Sequence, residues 1–500
     1  MSGRRVLSGT AWTVAGYAAV QVFRFGFNIA LAQMVAPQAL GTMALVGLFI
    51  QGLAMFSDLG VRQCVVQHER GDDPAFLNTA WTVQVLLGAV LWGGAVAIAG
   101  PLAAFYAEPA LLWLIPLAGL SGFVGGFASP AVWTYTREVR RGPLVRREVG
   151  VYVAAYTAVL VALSAVRARW PGGEGRDLEL AVIALGAVAA ALGDVALSYT
   201  LRPLARPRFA WDPAARRELL QFGSWVFVSS TCTFFAAQAD RLAVGKLSLE
   251  TLGVYHIAVV IAALPAGVLA ALGAQLMFPL VSGAMRDGEP LGSVFPRAHR
   301  AMVAAAALLI TGMACVGPAA VRLLYNDRYA DAATYLRLLA VPAWVTALLV
   351  PGEWTVLALG HTRTLALAQA ARLACVPVFL FGGFELAGLP GLVLGVAAAE
   401  AVRYAVVAAA LRRSGVTAVP EDAGVTLLAA ALFGLYLLSE RALEGAVGRV
   451  ALPLTAGVVL TVVWAAVYAA WAAPAPAPRP LRWLVRRARP AAVPAEGGEP

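Results

Sequence analysis

Apolar stretches long enough to cross a membrane recur along almost the whole chain, and this limits the fold more than any other feature. A helix needs roughly 20 apolar residues to cross the hydrocarbon core, so such stretches predict transmembrane helices. The composition agrees: 60% of the 500 residues are hydrophobic, 13% are charged and the mean hydropathy is +0.75. We therefore expect an all-α polytopic membrane protein with about 14 transmembrane helices. The predicted spans are 12–35, 41–66, 77–100, 111–135, 149–167, 178–201, 219–244, 253–282, 300–323, 334–358, 364–384, 389–411, 424–439 and 452–472.

Basic residues indicate the orientation of the chain. They are concentrated in alternate connections between the spans, for example in 137–147 and 202–217. Because cytoplasmic loops carry an excess of Lys and Arg, this pattern predicts that both termini are cytoplasmic. The net charge of +10 does not indicate a nucleic-acid partner, since the basic residues lie between apolar runs and not along one face.

An internal repeat divides the chain. The motif Ala39-Leu40-Gly41 returns 212 residues later as Thr251-Leu252-Gly253, and Pro130-Ala-Val-Trp133-Thr134 returns as Pro351-Gly-Glu-Trp354-Thr355. A repeat of six spans gives both copies the same orientation, which is typical of transporters with a substrate site between two halves. We predict two six-helix lobes related by a pseudo-two-fold axis. The predicted divisions are an N-terminal lobe (1–205), a C-terminal lobe (206–415), two further helices (416–473) and a cytoplasmic tail with a basic interfacial segment (474–500).

The first span contains a costly charge. Arg24 lies near the middle of the apolar run Trp12–Ala36, roughly 16–18 Å from either end at ~1.5 Å rise per residue. Placing a charge there costs at least ~2.5 kcal/mol on insertion scales, so an intramembrane ionisable residue is a functional hypothesis by default. The alternative is a structural arginine paired with a neighbouring helix. Helical spacing places four polar side chains on one face: Tyr17, Gln21, Arg24 and Asn28.

The second lobe repeats the polar stripe without the arginine. At the same offset Gln21 and Asn28 correspond to Thr233 and Asp240, and Arg241 follows directly. Asp240 is interpreted either as a coupling-ion or proton site or as a partner for an arginine.

Other charged residues within the predicted spans could form ion pairs with one another. Asp58 and Arg62 are spaced i, i+4 in the second span, which fits an ion pair as well as a cavity contact. Glu400 is predicted to pair with Arg372 across adjacent helices, while Arg403 extends toward the inner surface. Asp194 has no partner nearby in sequence.

Catalytic or metal chemistry is not indicated. The four cysteines are isolated within apolar runs, and the four histidines are scattered. We expect no catalytic residue, metal or cofactor, and leave open coupling to H⁺ or Na⁺.

Short motifs resemble bacterial polysaccharide transporters, the Wzx-type oligosaccharide flippases, and especially their colanic-acid and teichuronic-acid exporter branch. This family belongs to the multidrug/oligosaccharidyl-lipid/polysaccharide exporter superfamily. The motifs are Ser8–Trp12, Ala39–Gly41, Phe56–Gly60, Phe222–Trp225 and Phe278–Pro279.

The resemblance implies a two-lobed flippase of the bacterial inner membrane. Its implied cargo is an undecaprenyl-diphosphate-linked oligosaccharide, moved between leaflets by alternating access, with membrane lipids, a polysaccharide polymerase and export machinery as partners. Arg24 falls where similar flippases carry a cationic residue. Arginine suits diphosphate binding, so we expect Arg24 to bind the cargo with help from Arg62, Arg241 or Arg372, while Gln21, Asn28 and Thr233 contact polar groups.

Two other functions remain as alternatives. A multidrug or cation antiporter of the same superfamily would use acidic cavity residues, and the excess of arginine in the spans disfavours it. An integral-membrane polysaccharide polymerase or ligase would need a substantial outer loop with paired acids, histidines or arginines, and the predicted outer loops are short.

Overall fold

The structure is a computed structural model that describes residues 20–57, 70–138, 141–170, 175–201 and 207–443, with isolated positions between 61 and 466. Within this part of the chain all regular elements are helical, and eight helices are long and apolar enough to cross a membrane. The expected all-α polytopic membrane fold is therefore confirmed. Tyr17, Asp58, Arg62, most of the last predicted span and the tail lie outside the described residues.

The helix bounds follow the predicted spans closely. Each predicted span up to residue 439 overlaps at least one helix. The helices are α1 (20–34), α2 (Pro37–Ser57), α3 (Pro74–Tyr106), α4 (Leu111–Gly125), α5 (Ala131–Arg137), α6 (Arg141–Arg169), α7 (Arg176–Ser198), α8 (Pro213–Leu247), α9 (Leu249–Leu272), α10 (Phe278–Arg286), α11 (Leu291–Leu324), α12 (Ala332–Ala358), α13 (Thr362–Arg413) and α14 (Val419–Leu443).

Glycine and proline account for the interruptions. Helix α13 is bent where Ala387 and Gly388 leave helical geometry, and Gly388 takes a φ of 63° that disfavours residues with a side chain. This bend falls between two predicted spans, 364–384 and 389–411. A π-helical turn, Gly273–Met277, joins α9 to α10. The fourth predicted span is divided into α4 and α5 around the segment 126–130.

The described chain forms two compact units, and each is considered by itself. Unit one contains the described residues up to Ala263 together with Gly317–Pro342 and Ala366–Arg403. Unit two contains Leu264–Val316, Ala343–Leu365 and the described residues from Tyr404 onward. The predicted lobe boundaries stay a prediction.

A reciprocal glycine contact joins α2 and α9 inside unit one. A Cβ added to Gly41 would lie 1.7 Å from the Leu249 carbonyl oxygen, and one added to Gly253 would lie 1.9 Å from the Pro37 carbonyl oxygen. Pro37 and Leu249 are themselves 212 residues apart, as are the two glycines. Each copy of the repeated motif thus makes the same contact with the other, as a pseudo-two-fold axis requires. Only glycine allows the two backbones to approach so closely.

Gly253→Ala is expected to destabilise the folded protein by about 1–3 kcal/mol, because the added methyl group forces α2 and α9 apart. The matched control is Gly47→Ala on α2, where a Cβ meets nothing within 4 Å. Thermal unfolding of the purified protein in detergent measures both. A Gly253→Ala variant as stable as Gly47→Ala would show that the close contact does not form.

The segment 207–212, which leads into α8, is hydrogen-bonded to the start of α3. Its backbone N–H groups donate to three side chains of one α3 face at 3.1 Å: Arg208 to Asn78, Ala210 to Thr82 and Asp212 to Thr79. Arg70 bridges the Asp212 and Asp73 carboxylates at 3.0 and 2.9 Å. The Ala75 N–H and the Arg70 guanidinium hold the pKa of Asp73 below its usual range. Asp73 is also the N-cap of α3, so these contacts fix the entry to both helices.

Candidate functional site

Arg24 lies exposed on α1, in the apolar helix where the sequence placed it. Its backbone carbonyl accepts a hydrogen bond from the Asn28 side chain at 3.1 Å, which places both residues along one face. Gln21 is half-buried one turn before Arg24. Among the described residues Arg24 has no ion-pair partner. Its guanidinium therefore has donors for an anionic ligand.

Tyrosines of α6 face this part of α1. The rings of Phe27 and Tyr156 stack with centroids 4.2 Å apart and an interplanar angle of 13°, which fixes α1 against α6. Tyr152 lies one turn from Tyr156, with ring centroids 5.6 Å apart. The charge of Arg24 acts on both tyrosines. Arg24 thus lies within electrostatic range of two tyrosines on a helix that is distant in sequence.

A second cationic contribution comes from α8 and α9. Both Arg24 and Arg241 act electrostatically on His256, which is half-buried on α9. The Nε atom of Arg241 is buried and has no hydrogen-bond partner within the described chain. Arg24 on α1 and Arg241 on α8 therefore both lie within electrostatic range of His256 on α9 inside unit one. The sequence alone does not single out His256, which is one of four scattered histidines.

Two carboxylates near these helices have hydrogen-bond or ion-pair partners. The Tyr255 hydroxyl donates to Asp240 Oδ2 at 2.8 Å, and Tyr255 is fully buried. Thr233 lies half-buried two turns before Asp240 on α8. On α7, Asp194 lies 3.2 Å from the Nε atom of Arg147, which supplies the partner that its local sequence lacked. Asp240 and Asp194 thus each have a hydrogen-bond or ion-pair partner in the described chain.

Arg372 takes part in a buried ion-pair cluster. Its guanidinium lies 2.7 Å from Glu400 Oε1, with side-chain exposures of 8% and 5%. The predicted Arg372–Glu400 pair is therefore confirmed. Arg403 lies 3.4 Å from the other Glu400 oxygen, so it contacts the same carboxylate. With its guanidinium held by Glu400, Arg372 is not presented to a ligand in this conformation.

The sequence profile of the family described as "Polysaccharide biosynthesis protein" matches residues 30–334, more than half of the chain. The chain belongs to this family. The matched region of this polysaccharide biosynthesis protein includes α6, α8 and α9, and begins just after Arg24. Among curated protein sequences there is no significant match.

Solved structures share the fold of this family member. The lipid II flippase MurJ in an inward closed conformation superposes with a TM-score of 0.68 and 9% identity, covering 92% of this chain and 99% of MurJ. An inward-facing multidrug resistance MATE family transporter superposes with a TM-score of 0.57 and 13% identity, covering 79% of this chain and 95% of the transporter. The Vibrio cholerae MATE transporter VcmN superposes with a TM-score of 0.53 and 12% identity, covering 82% of this chain and 97% of VcmN. At these identities the likeness establishes a multi-pass membrane fold common to flippases and drug transporters.

Proposed function

We propose that this protein is a flippase of the bacterial inner membrane, and that it moves an undecaprenyl-diphosphate-linked oligosaccharide from the inner to the outer leaflet. The observation that carries the proposal is the exposed Arg24, which has no ion-pair partner among the described residues and lies beside Tyr152 and Tyr156 and within electrostatic range of His256. The family membership supports a cargo destined for polysaccharide. The fold shared with the lipid II flippase supports a lipid-linked one.

Side chains around Arg24 can bind both the diphosphate and the sugar of the proposed cargo. A diphosphate carries fixed negative charge, and the planar guanidinium of Arg24 suits bidentate contact with phosphate oxygens. Arg241 adds positive potential, which is stronger in a site of low dielectric than in water. Gln21, Asn28 and the two tyrosines offer donors and acceptors to sugar hydroxyls. The remaining candidate, Arg62, lies outside the described residues and stays a prediction.

The charge balance favours an anionic cargo over a cationic drug. A cation exporter needs a carboxylate that is open to its substrate, whereas Asp240, Asp194 and Glu400 each contact a tyrosine or an arginine. Arg24 is an exposed cation on this surface, without an ion-pair partner among the described residues. A polymerase or ligase is disfavoured because it would need a substantial outer loop with paired acids, histidines or arginines, and the predicted outer loops are short.

A reconstituted assay tests the function. Purified protein in liposomes is supplied with a fluorescent undecaprenyl-diphosphate oligosaccharide, and the fraction protected from an external glycosidase is followed over time. We expect protein-dependent exchange between leaflets. One set of parallel liposomes contains undecaprenyl phosphate without sugar, and a second set contains a cationic dye. Transport of the dye alone would overturn the proposal in favour of an antiporter.

A further inference from the structure

A buried histidine and aspartate meet in unit two, far along the sequence from Arg24. His299 on α11 is 1% exposed, Asp422 on α14 is 3% exposed, and His299 Nε2 lies 2.8 Å from Asp422 Oδ1. The Tyr404 hydroxyl donates to the other carboxylate oxygen at 2.5 Å. Three helices, α11, α13 and α14, thus converge on one carboxylate.

The second ring nitrogen of the histidine is unusual. His299 Nδ1 is buried and has no hydrogen-bond partner in the described part of the chain. His299 lines a cavity of about 10 Å³, which is room for one water molecule. The rest of the wall is apolar apart from Tyr404 and Asp422. A titratable nitrogen therefore sits in an apolar setting with space for a proton-carrying water.

Other charged groups lie around the cluster. Arg300 on α11 and Glu421 on α14 pair with each other at 2.5 Å. On α13, Arg412 acts electrostatically on Tyr404. Helix α12 contributes Leu348, Leu349 and Gly352 to the cavity, with Glu353 next in the chain. On α14 the Thr426 hydroxyl donates to the Asp422 backbone carbonyl at 2.6 Å. Asp422 is consequently the charge in direct contact with the imidazole.

We propose that His299 and Asp422, with Tyr404 orienting the carboxylate, form a proton-binding site that fastens α14 to α11. With a neutral imidazole the buried pair carries a net charge of −1, which is costly where little water reaches. A proton on His299 brings the net charge to zero and makes both partners of the hydrogen bond charged, so that an ion pair reinforces the contact. Asp422 lies in the first turn of α14, where the positive end of the helix dipole favours a negatively charged side chain.

The site stands independently of the cargo assigned above. Its ligand is the proton, and its existence requires no transport activity. If the protein is a flippase, the same site offers a place where the proton gradient acts on α14.

Titration of the imidazole tests the site directly. The chain has four histidines, so ¹⁵N-histidine-labelled protein in lipid nanodiscs gives few ring signals. His299→Gln and His361→Gln assign the signals of the buried histidine and of an exposed one. We expect the His299 ring to change between neutral and protonated forms as pH is varied from about 4 to 9. Asp422→Asn should lower its midpoint by about one pH unit or more, a tenfold loss of proton affinity.

Tyr404→Phe gives a second, opposite test. Removing the donated hydrogen bond leaves more negative charge on the carboxylate, so the His299 midpoint should rise. The midpoint of His361 should stay fixed in both variants. A His299 ring that does not titrate, or a midpoint unchanged by Asp422→Asn, overturns the proposal. If Asp422→Asn does not fold, Tyr404→Phe decides: an upward shift supports the site and an unchanged midpoint refutes it.

Discussion

Arg24→Ala is expected to reduce translocation of the lipid-linked oligosaccharide by on the order of 100-fold or more, while folded protein remains at the level of the unmodified chain. Two charge-assisted hydrogen bonds to a diphosphate are worth about 1.5–3 kcal/mol each, which sets this scale. Folding should be unaffected, because no described carboxylate loses its ion-pair partner when Arg24 is removed. The liposome assay and the yield of monodisperse protein measure the two quantities separately.

Two further variants separate charge from geometry. Arg24→Lys keeps the charge but not the planar pair of donors, so its activity should fall between those of the unmodified protein and Arg24→Ala. Arg363→Ala removes an equal charge from an exposed position in the first turn of α13 and should transport normally. Normal transport by Arg24→Ala would exclude Arg24 as the diphosphate ligand. Loss of folded protein in that variant would instead assign it a structural role.

The helices of the described chain could be predicted from sequence because membrane thickness sets the length of an apolar run. Even the bend in α13 was predictable, since Ala387 and Gly388 interrupt the run beside Pro390. The π-helical turn at Gly273–Met277 was not. There a Cβ on Gly273 would lie 2.2 Å from the Trp354 ring, and such close packing depends on two segments that are distant in sequence. Local periodicity holds no information about it.

Part of the candidate site could likewise be predicted from sequence, and part could not. Helical spacing placed Gln21, Arg24 and Asn28 on one face, since that depends on a single helix. The tyrosines of α6 and His256 of α9 join Arg24 only through tertiary packing, of which the stack of Phe27 on Tyr156 is one example. A tyrosine pair spaced i, i+4 in an apolar span was the available signal for α6. Nothing in the local sequence distinguishes His256 from the other histidines.

Glu400→Ala is expected to destabilise the protein by about 3–5 kcal/mol, the range for breaking a buried ion pair from one side. It removes the carboxylate that Arg372 and Arg403 both contact, and Arg372 is only 8% exposed. Thermal unfolding in detergent should show a large fall in the midpoint. Glu385→Ala is the matched control, because Glu385 is an exposed carboxylate on the same helix and makes no ion pair with the described residues.

Replacing both partners distinguishes a structural arginine from a cargo ligand at position 372. The double variant Arg372→Met/Glu400→Leu removes the two most buried charges of the cluster and fills similar volume, so it should recover part of the stability lost in Glu400→Ala, while Arg403 still loses its contact with Glu400. If Arg372 acts only through its ion pair, this variant should also translocate the lipid-linked oligosaccharide at nearly the unmodified rate. If the double variant recovers its stability but does not transport, Arg372 would be a ligand of the cargo. In that case the Glu400 pair would hold the guanidinium in one conformation and release it to the diphosphate in another.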